Sequence, residues 1–192
     1  LFFVPRIANE LNRYITNPRK IPPIVCLYGL PGIGKTAFAK LFAETFAEHT
    51  QYHAMNEHTK DANSKAFKDK LLFNRHTLRM SSETHAFETA TVLDEFHNLS
   101  HPMQDVFKVM FDRLIEDDKK ERNTDLIILC CNTTNKKKIK KTLASAIYSR
   151  VHPVRFECVE SEILDHAADL AEVFTNLKAV RIASMLPDIR KI

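Results

Sequence analysis

The sequence predicts an α/β fold, in which a parallel sheet is flanked by helices and followed by a small all-helical region. The first observation is an apolar run, residues 24–28, that leads through a glycine-containing loop into residues 37–47, whose apolar positions have helical spacing. The second is that two further strand-like runs, residues 90–93 and 126–131, each end in polar side chains. The third is that only helical patterns follow residue 160.

The glycine-containing loop is Gly29-Leu30-Pro31-Gly32-Ile33-Gly34-Lys35-Thr36, and it matches the phosphate-binding pattern G-x-x-x-x-G-K-S/T at every fixed position. It also contains all three glycines of the 192-residue chain. A loop whose N–H groups wrap a polyphosphate must leave out Cβ atoms, and a helix that follows it points its N-terminus at the phosphates. In such a loop Lys35 binds the β- and γ-phosphates, and the Thr36 hydroxyl binds Mg²⁺. We therefore predict a nucleotide-binding domain in which residues 29–36 hold the nucleotide.

Polar side chains follow both of the later strand-like runs. Asp94 and Glu95 end the first run, and Asn132 ends the second. Asp94, at the carboxyl end of a strand beside the loop, would hold Mg²⁺ through water, and Glu95 would act as general base on the attacking water. Asn132 can reach that water or the γ-phosphate, because neighbouring strand tips carry the other two motifs. The alternative for Asn132 is ordinary turn chemistry, since asparagine is common at strand ends.

The other predicted elements complete the sheet and the helices that cover it. The first helix is broken by Asn17-Pro18 and Pro22-Pro23 before the first strand begins. In chain order these elements are a helix at 5–16, a strand at 51–55, a polar loop at 56–63, and helices at 66–73, 103–118 and 143–150, then a strand at 153–156. We expect residues 1–158 to form the α/β core and residues 159–192 to form the helical region.

The composition is that of a globular, intracellular protein. No apolar run is long enough to cross a bilayer, so no membrane contact is expected. Four cysteines, at positions 26, 130, 131 and 158, lie in or beside apolar runs without metal-ligand spacing, which predicts buried free thiols in a reducing, cytoplasmic compartment. The chain begins at Leu1 with neither an initiator Met nor a secretory signal, and we expect it to be a piece of a longer protein.

Two further patterns have both a simple and a functional interpretation. The lysine-rich run at 136–141 can be a solvated start of a helix, or it can contact a DNA backbone, in which case each phosphate that a lysine neutralises steepens the salt dependence by about one unit. The net charge of +4 is too small to decide this. His97 and His101 are four residues apart, as are His49 and His53, but neither pair has a further convincing ligand, so we expect turn and surface histidines.

Together these motifs resemble a P-loop NTPase of the AAA+ class, with a five-stranded sheet and a helical lid, and specifically a clamp-loader ATPase subunit. The resemblance extends over nearly the whole chain. The segments that carry it are Ile21-Pro22-Pro23 before the first strand, Asp94-Glu95-Phe96 followed by Leu99-Ser100 and Gln104, Ser149-Arg150-Val151, and Pro187-Asp188-Ile189-Arg190-Lys191. They are similar to replication factor C small subunits, and the last segment is closest to the tailed-phage version. Val151 departs from the family's usual cysteine, and the lid is shorter than the family's.

The resemblance implies a mechanism. ATP and Mg²⁺ would lie between core and lid, with Asn132 at the position called sensor 1 and Arg190 binding phosphates from the lid in cis. Arg150 would complete the site of a neighbouring subunit in trans. Asn56 matches the polar residue that holds the catalytic glutamate inactive until DNA binds.

The implied partners are other AAA+ subunits, a sliding clamp and primer–template DNA, with no membrane. We expect the collar domain that assembles such subunits to be missing from this chain. We also expect an isolated chain to bind ATP but to hydrolyse it very slowly. The alternatives are a viral superfamily-3-type helicase domain and an AAA+ initiator or helicase-loader switch.

Overall fold

The computed structural model describes residues 5–55, 85–120, 124–133 and 136–156. Within these ranges the chain forms one five-stranded sheet in which every pair of neighbouring strands is parallel, with helices on both faces. The strands are β1 (Ile24–Gly29), β2 (Ala47–Ala54), β3 (Phe87–Asp94), β4 (Asp125–Asn132) and β5 (His152–Arg155). The predicted parallel α/β sheet is therefore confirmed, while the predicted lid, the helix at 66–73, Asn56 and Arg190 lie outside the described residues.

The strand order, β2-β3-β4-β1-β5, places β4 between β3 and β1. In the parallel register Gly29, the last residue of β1, is level with Asn132, the last residue of β4. Leu93, next to the end of β3, is level with Leu129 of β4. Because all strands run the same way, the ends of β1, β3 and β4 meet at one edge of the sheet.

Six helices in the described residues cover the sheet. They are α1 (Pro5–Thr16), α2 (Lys35–Phe46), α3 (His101–Asp105), α4 (Lys108–Lys119), α5 (Lys136–Thr142) and α6 (Ser145–Tyr148), with short 3-10 turns at Pro18–Lys20 and Phe96–Asn98. One face of the sheet packs on α1 and α2, and the other packs on α4, α5 and α6. No helix in these ranges has both the length and the apolar character that crossing a membrane requires.

The buried strands alternate their side chains between the two faces, as a sheet covered on both sides requires. In β1, for example, Cys26 packs with the cluster below α4 and Leu27 packs with the cluster below α2. Aromatic rings fill both layers: Phe42 of α2 lies 4.7 Å from Phe46, and Phe96 lies 5.2 Å from Phe107, measured between ring centroids. This packing keeps the strand ends rigid beneath the loops that follow them.

Two predicted elements differ most from the structure. The single helix predicted at 103–118 is two helices. Between them the hydrogen bonds join residues three apart instead of four, since Val106 N donates to Met103 O and Phe107 N donates to Gln104 O. The strand predicted at 51–55 begins at Ala47 instead. Its early residues are polar and exposed, and they form a strand because β2 is the edge of the sheet and pairs with β3 from Ala47 onward.

Three of the four cysteines lie in the described residues, and all three are buried and free. The Cys26 and Cys131 sulfur atoms are 3.9 Å apart across neighbouring strands. Burial raises the pKa of the Cys130 thiol well above its usual value, so this group remains protonated. The prediction of buried free thiols is confirmed for these three, and Cys158 lies outside the described ranges.

Gln104 is a fully buried polar link between two parts of the fold. Its Nε2 donates to Leu99 O at 2.9 Å and to Thr142 O at 3.0 Å, and its Oε1 accepts from Ala144 N at 2.7 Å. These bonds tie the segment after β3 to the connection between α5 and α6. All the hydrogen-bonding groups of this amide that face the protein are therefore in use.

We expect Gln104→Leu to lower the free energy of unfolding by about 2–4 kcal/mol, because three backbone groups lose their partner. Urea denaturation of the full chain measures this. Val109→Ala is the matched control, because Val109 is 76% exposed on the neighbouring helix and its truncation should change stability by less than about 0.5 kcal/mol. Equal stability of the two variants would contradict the structural role of Gln104.

Candidate nucleotide-binding and catalytic site

The loop between β1 and α2 needs its glycines for two different reasons. Gly32 and Gly34 have φ angles of 81° and 89°, in the left-handed region that side chains disfavour. Gly29 instead lies in a crowded position, where a Cβ atom would be 2.4 Å from the Phe156 carbonyl oxygen and 2.6 Å from Ile33 Cδ1. The helix α2 begins at Lys35, immediately after Gly34. Its first N–H groups therefore lie at the loop, as an anion-binding helix terminus requires.

Lys35 lies inside the loop. Its ammonium donates to Leu30 O at 2.6 Å and to Gly29 O at 3.2 Å, and the residue is 5% exposed. Burial lowers the pKa of this amine, while Cys130, Glu95 and Asp94 act in the opposite direction. A positive charge with so little water around it interacts more strongly with phosphate oxygens than a surface lysine does.

Asp94, the last residue of β3, is buried and joined to two hydroxyl groups. Its Oδ2 accepts from Thr36 Oγ1 at 3.0 Å and from the Tyr52 hydroxyl at 2.8 Å, and its Oδ1 accepts from Glu95 N at 2.9 Å. Hydroxyl and carboxylate oxygens are the ligands that Mg²⁺ prefers, so Thr36 and Asp94 fit this ion. No sequence pattern pointed to Tyr52, because its approach to Asp94 depends on the pairing of β2 with β3.

Glu95 has an unusual backbone conformation. Its φ of 56° and ψ of 30° make it the one non-glycine residue with positive φ in the described part of the chain. This conformation costs a side-chain-bearing residue roughly 1–2 kcal/mol, and such residues cluster at functional sites. Its Oε1 accepts from Asn132 Nδ2 at 2.9 Å, and its Oε2 accepts from Asn98 Nδ2 at 3.3 Å. The turn thus directs the carboxylate toward the tip of β4.

His97 also faces this carboxylate. Its Nδ1 accepts from Asn132 N at 3.3 Å, and its Nε2 lies 3.4 Å from Glu95 Oε2. Burial lowers the pKa of this imidazole. His101, four residues later, contacts Lys141 O at 3.1 Å instead, so the two histidines have different partners. In the described ranges, no three His, Cys, Asp or Glu side chains form a metal-binding group.

The structure therefore brings together most of the residues that the sequence singled out. Asn132 bonds Glu95, Thr36 bonds Asp94, and the backbone after Asn132 bonds the loop, since Thr133 N donates to Gly29 O at 3.1 Å. The partners that sequence reasoning missed are Tyr52, His97 and Asn98. His97 was considered in the sequence only as a possible metal ligand with His101, and Asn98 was visible only as a polar residue shortly after the acidic pair.

Arg150 lies apart from this cluster. Its guanidinium donates to both carboxylate oxygens of Asp112 at 2.5 and 3.1 Å, to Ala146 O at 2.6 Å and to Ser149 Oγ at 3.2 Å. The Arg150 hydrogen bond holds the pKa of the Asp112 carboxyl below its usual value. None of these partners belongs to the phosphate-binding loop or to the strand tips.

Comparison with protein families decides the classification. Residues 25–156 match the model of AAA, the ATPase family associated with various cellular activities. The chain belongs to the AAA family. The match extends from β1 to β5 and includes every described residue of the site. The predicted resemblance to AAA proteins is therefore confirmed, and the resemblance to clamp loaders stays a prediction. No curated protein matches this AAA chain in sequence.

Solved structures of AAA-type proteins have the same fold. RuvB, the Holliday junction branch migration motor of Thermotoga maritima, is 14% identical with a TM-score of 0.57 over 95% of this chain and 55% of its own. DnaA of Aquifex aeolicus with bound AMPPCP is 15% identical with a TM-score of 0.55, over 100% of this chain and 63% of its own. A replication initiator DnaA with AMPPCP and single-stranded DNA has a TM-score of 0.60 at 15% identity, over 99% and 60%. The chain spans little more than half the length of these proteins.

Proposed function

We propose that this AAA domain binds ATP with Mg²⁺ and hydrolyses ATP as one subunit of an oligomeric machine that acts on DNA. One observation carries the catalytic part: a buried lysine ammonium, a Thr36–Asp94 oxygen pair and a Glu95–Asn132 pair converge at the carboxyl ends of β1, β3 and β4. Phosphoryl transfer needs a cation on the phosphates, oxygen ligands for Mg²⁺ and a group that activates water, and this cluster contains each of them.

Each side chain has a distinct role in this proposal. The loop N–H groups and the start of α2 bind the phosphates, and Lys35 adds a positive charge to the β- and γ-phosphates. Thr36 and Asp94 hold Mg²⁺, which neutralises negative charge on the phosphate oxygens. Glu95 accepts the proton of the attacking water, and Asn132 keeps the Glu95 carboxylate and that water in place.

Two arginines would complete the site from outside the strand tips. Arg190 would bind the phosphates from the lid in cis, following the sequence resemblance. Arg150 would act in trans on the nucleotide of a neighbouring subunit. Its position supports this, because its guanidinium contacts α4 and α6 rather than the loop of its own chain.

The proposed DNA contact is the lysine-rich helix α5. Its lysines at positions 137, 138, 140 and 141 are exposed around Ile139, which is fully buried and anchors the helix to the core. A row of exposed ammonium groups on a rigid helix can neutralise backbone phosphates without reading bases. Within DNA-acting machines we favour a clamp loader, in which ATP closes a spiral of subunits around primer–template DNA and hydrolysis releases the sliding clamp.

The second candidate is an initiator or helicase-loader switch that uses ATP mainly to hold a conformation. Two structurally similar proteins are DnaA, and one of them is bound to single-stranded DNA. The candidates differ in what stimulates hydrolysis. Stimulation that needs both a sliding-clamp ring and primer–template DNA supports clamp loading. Stimulation by DNA without the clamp supports the switch, and translocation along single strands supports a helicase.

The Mg²⁺ site can be tested with a pair of variants at Thr36. Thr36→Val removes the hydroxyl at nearly constant shape, and we expect it to weaken ATP binding in Mg²⁺ by about tenfold or more, because a ligand oxygen is lost. Thr36→Ser, which keeps the hydroxyl and still fits the loop pattern, is the matched control. Titration with a fluorescent ATP analogue, in Mg²⁺ and in EDTA, measures the effect. Equal affinities of the two variants in Mg²⁺ would argue against Thr36 as a ligand.

A further inference from the structure

We propose that His97 is a positioning residue for the catalytic carboxylate, tying Glu95 to the backbone at the tip of β4. This inference rests on the proposed function, since it takes Glu95 as the general base. Its basis is a closed set of contacts: Asn132 N donates to His97 Nδ1, His97 Nε2 faces Glu95 Oε2, and Asn132 Nδ2 donates to Glu95 Oε1. Glu95 and Asn132 are thus joined both directly and through the imidazole.

The hydrogen bond from Asn132 determines where the proton of His97 lies. A backbone N–H can only donate, so Nδ1, 3.3 Å away, must be the unprotonated, accepting nitrogen. In a neutral imidazole the proton is then on Nε2, which lies 3.4 Å from Glu95 Oε2. The ring therefore presents an N–H donor to the carboxylate. Contacts of this kind are often long without substrate and shorten when the reacting complex forms.

Burial favours this neutral form. His97 is 18% exposed, and loss of water around the ring lowers its pKa. The nearby Lys35 ammonium acts in the same direction, whereas Glu95 and Asp94 oppose it. A neutral ring contributes a directed donor and not a counter-charge, so its effect on Glu95 is one of orientation.

The two oxygens of the Glu95 carboxylate have different partners. Oε1 is held by the Asn132 side chain, and Oε2 is shared by Asn98 and His97. The Asn98 side chain comes from the same turn as Glu95, whereas His97 connects Oε2 to the main chain of β4. A displacement of the β4 tip would therefore be transmitted to both oxygens of the base. No other described contact joins Oε2 to that strand.

Two substitutions separate the two nitrogens of the ring. In His97→Asn the side-chain oxygen can replace Nδ1 as acceptor for Asn132 N, but the side chain is too short to reach Glu95. In His97→Gln the terminal amide can replace Nε2 as donor to Glu95. We expect His97→Asn to lower kcat by about tenfold with KM for ATP unchanged, because one orienting hydrogen bond is lost. His97→Gln keeps the donor to Glu95 and loses only the acceptor for Asn132 N, so its kcat should fall by less and stay within about threefold of the wild type.

The result that would overturn the proposal is an undiminished kcat in His97→Asn, or an equal loss in both variants. Urea denaturation and fluorescent-ATP binding of each full-length variant show whether it is folded and binds nucleotide. If the wild-type chain hydrolyses no ATP in any assembly, the proposed function fails, and the protonation state of the His97 ring then tests the proposed contacts by themselves.

A second readout is independent of activity. The ¹⁵N chemical shifts of the imidazole nitrogens in the wild-type chain report which nitrogen carries the proton, with His97→Gln identifying the His97 signals. We expect the Nε2–H form, with Nδ1 unprotonated, near neutral pH. A ring protonated on Nδ1 would overturn the proposal even if the variants were inactive or unfolded.

Discussion

Replacing Arg150 with alanine is expected to lower the ATPase rate of the assembled protein by roughly 10³–10⁵-fold, the usual contribution of an arginine supplied in trans. ATP binding to the altered subunit itself should be unchanged, because its own phosphate-binding loop is intact. Asp112 holds the guanidinium in a partly exposed ion pair, in which 21% of the arginine side chain and 49% of the aspartate side chain are exposed. Such an ion pair contributes little to stability, so the arginine can leave it for a neighbour's phosphate. Arg19→Ala is the matched control, because Arg19 is an exposed arginine on the 3-10 turn that precedes β1.

Mixing variants tests whether Arg150 acts between chains. Chains carrying Arg150→Ala keep Glu95, and chains carrying Glu95→Gln keep Arg150. Each is expected to be inactive alone. In a mixture, Arg150 of a Glu95→Gln chain can act on the nucleotide of a neighbouring Arg150→Ala chain. Activity should therefore reappear in proportion to the fraction of neighbouring pairs that contain one chain of each kind. Co-assembly without any recovery would contradict a role in trans.

Replacing Glu95 with glutamine is expected to lower the hydrolysis rate by roughly 10²–10⁴-fold, because the amide cannot accept the proton of the attacking water. The substitution keeps the shape of the side chain and leaves Lys35, Thr36 and Asp94 unchanged, so ATP affinity should stay within a few-fold. Single-turnover hydrolysis and fluorescent-ATP titration measure the two quantities separately. Glu88→Gln is the control, because Glu88 lies near the opposite end of the same strand. Hydrolysis at the wild-type rate in Glu95→Gln would remove the glutamate from the proposed mechanism.

Local sequence patterns predicted a large part of the fold. Buried strands such as β1 and β4 were recognisable, because strands covered on both faces are continuously apolar. The edge strand β2 was harder, since its amino-terminal residues are polar and only pairing with β3 makes them a strand. The break between α3 and α4 was also missed. The break depends on two backbone hydrogen bonds between residues three apart, and no residue type in this segment predicts them.

Some parts of the candidate site could likewise be predicted from the sequence, and others could not. Lys35 and Thr36 belong to a contiguous pattern, and Asp94 and Glu95 stand at the end of a recognisable strand. By contrast, no sequence pattern predicted that the Tyr52 hydroxyl contacts Asp94 or that the His97 ring lies beside Glu95. The first contact comes from a strand whose register was unknown. The second depends on the left-handed turn at Glu95, which is rare for a residue with a side chain.

The sequence was enough to locate a phosphate-binding loop between a strand and a helix, and acidic and amide groups at the ends of two other strands, because these are patterns of neighbouring residues. Which of these groups contact one another depends on how the strands are ordered in the folded sheet. The order β2-β3-β4-β1-β5 places β4 between the other two strand tips, so that Asn132 reaches Glu95 while Asp94 reaches Thr36. Parallel pairing joins residues far apart in the chain, and it depends on how both faces of the sheet pack.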